Sequence, residues 1–135
     1  MKPLKLLYWL AFILDVISGV IWLLTISVTF LIPFGITVAL FVVHVKSYKQ
    51  LNAQHYVSKK LIITQTILGI LVAACFSIVI FALASLDCLD VCIHPKNWWL
   101  ISGVPSGLSA FVISAGLAIA PYFLNRRLAS KQNTR

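Results

Sequence analysis

Of the 135 residues, 61% are hydrophobic and only 10% are charged, whereas a soluble domain carries roughly 25% charged residues. So few charges cannot cover so much apolar surface, which excludes an ordinary water-soluble fold, and the length allows one domain at most. The formal net charge of +8 does not point to nucleic acid. The cations stand in short blocks between long apolar runs, where anionic lipid headgroups are the natural counter-charge.

Lys2 and Lys5 precede an apolar run from Leu6 through Val43. A secretory signal has an apolar stretch of only about 7–15 residues before a small-residue cleavage site, and no Ala-x-Ala site interrupts this run. It reads as an uncleaved anchor. As one helix it would be about 57 Å long, nearly twice the hydrocarbon thickness of a bilayer. It is therefore expected to fold back into two spans, near 4–25 and 28–46, with a tight turn around Thr25, Ser27 and Thr29.

A basic loop follows over 47–60, then a third span over 61–86 that stops at Asp87. An outer loop over 87–97 leads to a fourth span over 98–124. That span ends at Asn125 and the Arg126-Arg127 pair, opening a basic tail over 125–135. The predicted fold is an all-α integral membrane bundle of four transmembrane helices, arranged as two hairpins.

Charge placement orients it. One side receives Lys2, Lys5, Lys46, Lys49, Lys59, Lys60, Arg126, Arg127, Lys131 and Arg135; the other receives Lys96 beside Asp87 and Asp90. Basic residues concentrate on the cytosolic side of membrane proteins, so both termini are expected in the cytosol, gripping anionic headgroups. Three spans would place the four lysines of the 46–60 segment outside. Tyr8, Trp9 and Tyr122 fall at the inner interface and Trp98 and Trp99 at the outer one, where amphipathic rings prefer to lie. A bacterial cytoplasmic membrane is the expected location.

Between membrane helices, close packing of small residues and interhelical hydrogen bonds replace the hydrophobic drive. The fourth span carries Ser102, Ser106, Ala110, Ser114 and Ala118, each four apart, with Gly103 and Gly107 beside them. Residues four apart share a helix face, so this face admits another backbone closely. Gln65, Gly69, Ala73 and Ser77 form a shorter row in the third span, and Ala11, Asp15 and Gly19 another in the first. Such faces hold a monomer together or bind a partner or second copy; both readings stand.

Away from the span ends, where Lys5 and Lys46 stand, Asp15 is the only formally charged side chain within a span. A carboxylate near the midplane costs several kcal/mol unless protonated, paired or hydrated, and no Lys or Arg in another span can pair with it. Counting inward from the cytosolic ends sets Pro33 to Thr37, Ala73 and Ser114 at its depth. Pro33 lacks a backbone donor and frees the carbonyl of Thr29. Asp15, Thr37 and Ser114 are thus the candidate intramembrane polar site. It serves either as a structural hydrogen bond to Ser114 or the freed carbonyl, or as a proton or cation site. On this register His44 falls too far along the bilayer normal to form a relay with Asp15.

The stretch Ile13-Leu14-Asp15-Val16-Ile17, an acid in the first of four short spans, resembles the small multidrug resistance transporters. That resemblance implies a membrane-embedded acid that binds substrate and protons alternately, carried here by Asp15. The chain departs from the family's pattern in having Asp where the family has Glu, and in its strong charge asymmetry.

Cys88 and Cys92 lie four apart in the outer loop. A helical turn would bring their Cα atoms to about 6 Å, within disulfide limits. A disulfide, two free thiols, and a metal site with His94 and Asp87 or Asp90 are the alternatives there. No familiar zinc framework is complete, so no metal or cofactor is expected. Cys75 is expected in packing and His55 at the interface. No catalytic constellation is present, so no enzyme is expected. The functional expectation is helix–helix association, as an accessory subunit or homo-oligomer. Its alternatives are a small proton- or cation-coupled permease centred on Asp15, and a membrane immunity or stress protein.

Overall fold

The computed structural model describes residues 2–24, 31–85 and 99–132. Four long helices follow one another: α1 over Lys2–Leu24, α2 over Leu31–Gln54, α3 over Lys59–Ser85 and α4 over Val104–Gln132. A π-helical turn, Trp99–Gly103, leads into α4. The described residues contain no strand. Each helix is long and apolar enough to cross a membrane; at 1.5 Å per residue, about 20 residues suffice. The turn expected around Thr25, Ser27 and Thr29, and the outer loop with Cys88, Cys92 and His94, lie outside the described residues.

The outer surface follows the composition. Leu6 and Ile32 are each 71% exposed, and Ile78, Ile113 and Val112 more than 60%. An apolar surface of this extent is stable against lipid and not against water.

One end of the bundle gathers the start of α1, the end of α2, the start of α3 and the end of α4. Leu4, Tyr8, Leu51, Val57 and Ile62 form a buried cluster there, with Tyr122, Leu124 and Leu128 of α4 packed on it. Consecutive helices therefore run antiparallel. Lys2, Lys59, Lys60, Arg126 and Arg127 are exposed around this cluster, and we call it the basic end.

Two boundaries differ from those expected. α2 runs on to Gln54 instead of stopping near 46, and α4 runs to Gln132. Hydrophobicity ends near 46, but helix formation does not: Lys, Gln, Leu and Ala are all good helix formers. Beyond 46, α2 still buries Ser47 and Leu51. The segment expected as a loop over 47–60 shrinks to a short turn. His55 stops α2 in the left-handed conformation at φ 63°, its amide donating to the Leu51 carbonyl at 3.0 Å. This is the C-terminal cap geometry that usually falls to Gly or Asn.

Asn125 then fixes the turn to α4. Its Nδ2 donates to the Val57 carbonyl and its Oδ1 accepts from the Val57 amide, both at 2.9 Å. Both backbone groups of a buried turn residue are thereby satisfied.

α3 and α4 pack most extensively, α1–α2 and α2–α3 less so, and α1 barely meets α4. Small residues cause the closest contact. A Cβ on Gly107 would stand 3.0 Å from that of Phe81 and 3.2 Å from the Ser77 carbonyl oxygen. Ser77 donates to the Gly107 carbonyl at 2.7 Å. Gly103 packs on Ser85 and Phe81, and Gly69 on Ala118. α1 and α2 meet instead through edge-on aromatic contacts, Phe12 with Phe41 at 5.8 Å and with Tyr48 at 5.7 Å between ring centres.

Candidate functional site

Each helix turns a buried stripe inward. In α1 it includes Leu4, Tyr8, Asp15 and Trp22; in α2 Thr37, Leu40, His44, Ser47 and Leu51; in α3 Ile62, Gln65, Gly69 and Ala73. The spacings of three, four and seven are those of a single helix face. Polar groups therefore lie in the stripes that would otherwise be a purely apolar core.

Asp15 and His44 meet on these faces. Asp15 Oδ2 lies 2.5 Å from His44 Nδ1, with both side chains buried. When Asp15 is a carboxylate, Nδ1 carries the proton of that bond, and Nε2 keeps the lone pair of the neutral ring. No other ion pair is formed among the described residues. The expectation that His44 lies too far from Asp15 is corrected by this contact. Its cause is the length of α2: an end at Gln54 instead of 46 shifts the helix by eight residues, about 12 Å along its axis. That shift brings His44 to the level of Asp15 and carries Pro33 and Thr37 away from it.

Pro33 is corrected with it. It stands in the first turn of α2, where a missing amide costs no helical hydrogen bond. Thr37 is buried and donates to the Pro33 carbonyl at 2.9 Å, a local bond within its own helix.

Aromatic rings close over the imidazole. The Tyr8 ring meets His44 edge-on at 6.0 Å and the Phe12 ring does so at 6.4 Å. Tyr8 donates from its hydroxyl to Gln65 Oε1 at 2.9 Å, joining α1 to α3 in the buried interior. Ser47, one turn beyond His44, is wholly buried beside that hydroxyl.

The other side of the pair is open. A cavity of about 300 Å³ lies between the four helices, and Asp15, His44, Ser18, Gln65 and Ser114 are its polar wall groups. Liquid water occupies about 30 Å³ per molecule, so this space would hold on the order of ten waters or one small organic molecule. No Lys or Arg lines it. Its remaining wall is apolar, and four of those residues are themselves on the outer surface: Leu10 and Leu14 of α1, Ile113 and Leu117 of α4, each 40% exposed or more. The mouth thus lies in the seam where α1 and α4 fail to close.

Pro121 adds to the wall from within α4. A proline inside a helix has no amide to donate to the carbonyl four residues earlier, here that of Leu117.

Of the residues expected to matter, Asp15 and Ser114 face the same cavity, while Thr37 does not line it. Gly69 lines it too, and closes the α3–α4 contact. Gly103 and Gly107 are buried against α3 of the same chain, and Ser102, Ser106 and Ala110 are half-buried. Gly19 makes no close contact: nothing lies within 4 Å of where its Cβ would be. Cys75 is free and half-buried. No cluster of three metal-ligating side chains occurs among the described residues.

His44, Tyr8 and Asn125 were not expected in any site. The signal for Asn125 is a lone amide just past an apolar span, and for His44 a spacing of four to Leu40 and three to Ser47. Both signals need the extended α2 to be read.

Fold and site together define an all-helical protein with four helices long and apolar enough to cross a membrane, and with an acid–imidazole pair facing a cavity between them. No family model, curated protein or solved structure matches the chain.

Proposed function

We propose that this chain is a small proton- or cation-coupled permease in which the Asp15–His44 pair is the exchanging site. The observation that carries the reading is the pairing of two ionisable side chains on the wall of a cavity set between membrane-length helices. Ionisable groups at such depth are costly and mark proton or ion pathways.

Charge arithmetic gives the mechanism. An ionised Asp15 beside neutral imidazole leaves the cavity with one negative charge, and no Lys or Arg of the wall offsets it. One proton on the pair restores neutrality, and so does one bound cation. Two ligands that each neutralise the same charge compete, and competition at one site is the thermodynamic basis of exchange. The groups facing the pair are Ser18 and Tyr8 from α1, Gln65 from α3 and Ser114 from α4; Tyr8 is the one ionisable group among them, and its hydroxyl donates to Gln65.

Orientation follows from the basic end. With Lys2, Lys5, Lys46, Lys49, Lys59, Lys60, Arg126 and Arg127 on the helix segments that form that end, we place it in the cytosol against anionic headgroups, in a bacterial cytoplasmic membrane. Association with a second subunit or copy has less support. Gly103 and Gly107, which would offer the flattest face, are already covered by Phe81 and Ser77.

The test is titration of the pair in lipid. Infrared difference spectra between pH 5 and 9 should show a carboxyl or imidazole band that Asp15→Asn removes, with the helix content retained. Proton flux into vesicles carrying the protein should fall in the same variant. A pair that keeps one protonation state across this range would end the proposal.

A further inference from the structure

We infer that Tyr8 and Gln65 form a gate between the Asp15–His44 cavity and the basic end of the bundle. The inference rests on reading the pair as an exchanging site, because a sealed structural pair needs no gate.

The geometry is asymmetric. Between α1 and α4 the cavity reaches the outer surface, past Leu14 and Ile113. Toward the basic end it stops. Gln65 is its last polar wall group there, and the Tyr8 ring, 1% exposed, lies beyond it, bonded to Gln65 at 2.9 Å. Behind Tyr8 stand Leu4, Leu51, Val57 and Ile62, each at most 2% exposed. Water from the basic face must pass this layer to reach Asp15.

The layer is built to open at one point. Leu4, Leu51, Val57 and Ile62 offer water no partner, whereas Tyr8, Gln65 and Ser47 form a buried polar strip through the same level. That strip continues to His44, one turn from Ser47 on α2 and in edge contact with the Tyr8 ring. Turning the Tyr8 side chain breaks one neutral hydrogen bond, to Gln65, and two edge-on aromatic contacts, to His44 and Tyr48. The freed hydroxyl and amide then line the path they had closed. Tyr8 and Gln65 act as positioning residues for water and protons, not as the exchanging groups.

Thiol accessibility tests this in the full chain, with the three native cysteines replaced by alanine and the protein in vesicles with its basic face outward. Ala11→Cys places a thiol on the cavity wall, and Ala53→Cys, on the exposed end of α2, reports the outward face. A membrane-impermeant, charged thiol reagent should label position 53 rapidly and position 11 slowly. Gln65→Leu removes a hydrogen bond of ordinary net strength, so labelling at 11 should rise about fivefold. Tyr8→Ala should raise it further, with position 53 unchanged in both. If Tyr8→Ala does not fold, Tyr8→Phe, which keeps the ring, should match Gln65→Leu.

Rapid labelling at 11 with the gate residues intact overturns the inference. So does a rate that neither Gln65→Leu nor the Tyr8 variants change. Infrared titration of Asp15 is read separately. A silent Asp15 with gated labelling removes the exchange reading, and a titrating Asp15 with ungated labelling removes the gate alone.

Discussion

Asp15 and His44 are separated by 29 residues in the chain and by 2.5 Å in space, a carboxylate oxygen against a ring nitrogen. Both are buried, and the cavity on their open side is bounded by all four helices. Each residue alone would be an uncompensated charge or dipole in an apolar interior. Together they satisfy one another.

That mutual dependence predicts strong non-additivity. Asp15→Ala or His44→Ala alone should cost about 3–5 kcal/mol, because each leaves a buried partner stranded. The pair Asp15→Leu with His44→Phe should cost much less than the sum, while abolishing exchange. Unfolding in mixed detergent micelles gives the four corners of the cycle. Additive single costs would mean that the contact carries no coupling.

Asn125 bridges Val57 with both ends of its amide. Asn125→Ala should destabilise the protein by about 2–4 kcal/mol, leaving two buried backbone groups unmet at about 1–3 kcal/mol each before relaxation. Asn125→Asp keeps the acceptor for the Val57 amide but sets a carboxylate against its carbonyl, and should be no better. Protease cleavage at 55–58 should speed up in both variants.

The glycines separate by what surrounds them. Gly107→Ala drives a methyl against Phe81 Cβ and the Ser77 carbonyl and should cost about 1–3 kcal/mol, as overpacking does. Gly19→Ala meets nothing within 4 Å and should gain about 0.5–1 kcal/mol from helix propensity. Comparable midpoints for the two would contradict the α3–α4 packing described above.

His55 holds φ 63°, a conformation that costs an L residue about 1–2 kcal/mol. His55→Gly should raise stability by up to about 1 kcal/mol, since glycine's extra unfolded-state freedom offsets part of the relief. His55→Val should lower it. Thermal melts of the two variants against the parent check both signs.

Much of this fold was legible along the chain. Runs of apolar residues longer than any soluble core requires, broken by charge blocks, define four membrane-length helices. A lone acid inside the first run marks where polar chemistry must be answered, and Ser114, expected at its depth, lines the same cavity. Those features are local, fixed by composition and by the rise of a helix.

The partner of that acid was not local. Hydropathy falls away after Val45, so a span read from hydropathy ends near 46, while backbone hydrogen bonding carries α2 to Gln54. Eight residues of helix decide whether Pro33 or His44 stands beside Asp15; good helix formers carry α2 that far, and burial of Ser47 and Leu51 holds it there. The same holds for the seam. Small residues mark which faces can approach closely, but the tertiary arrangement chose α3 with α4 and left α1 and α4 apart. A chain's composition sets how much surface must face lipid; which inward faces meet depends on register between helices, and register is a property of the assembled bundle.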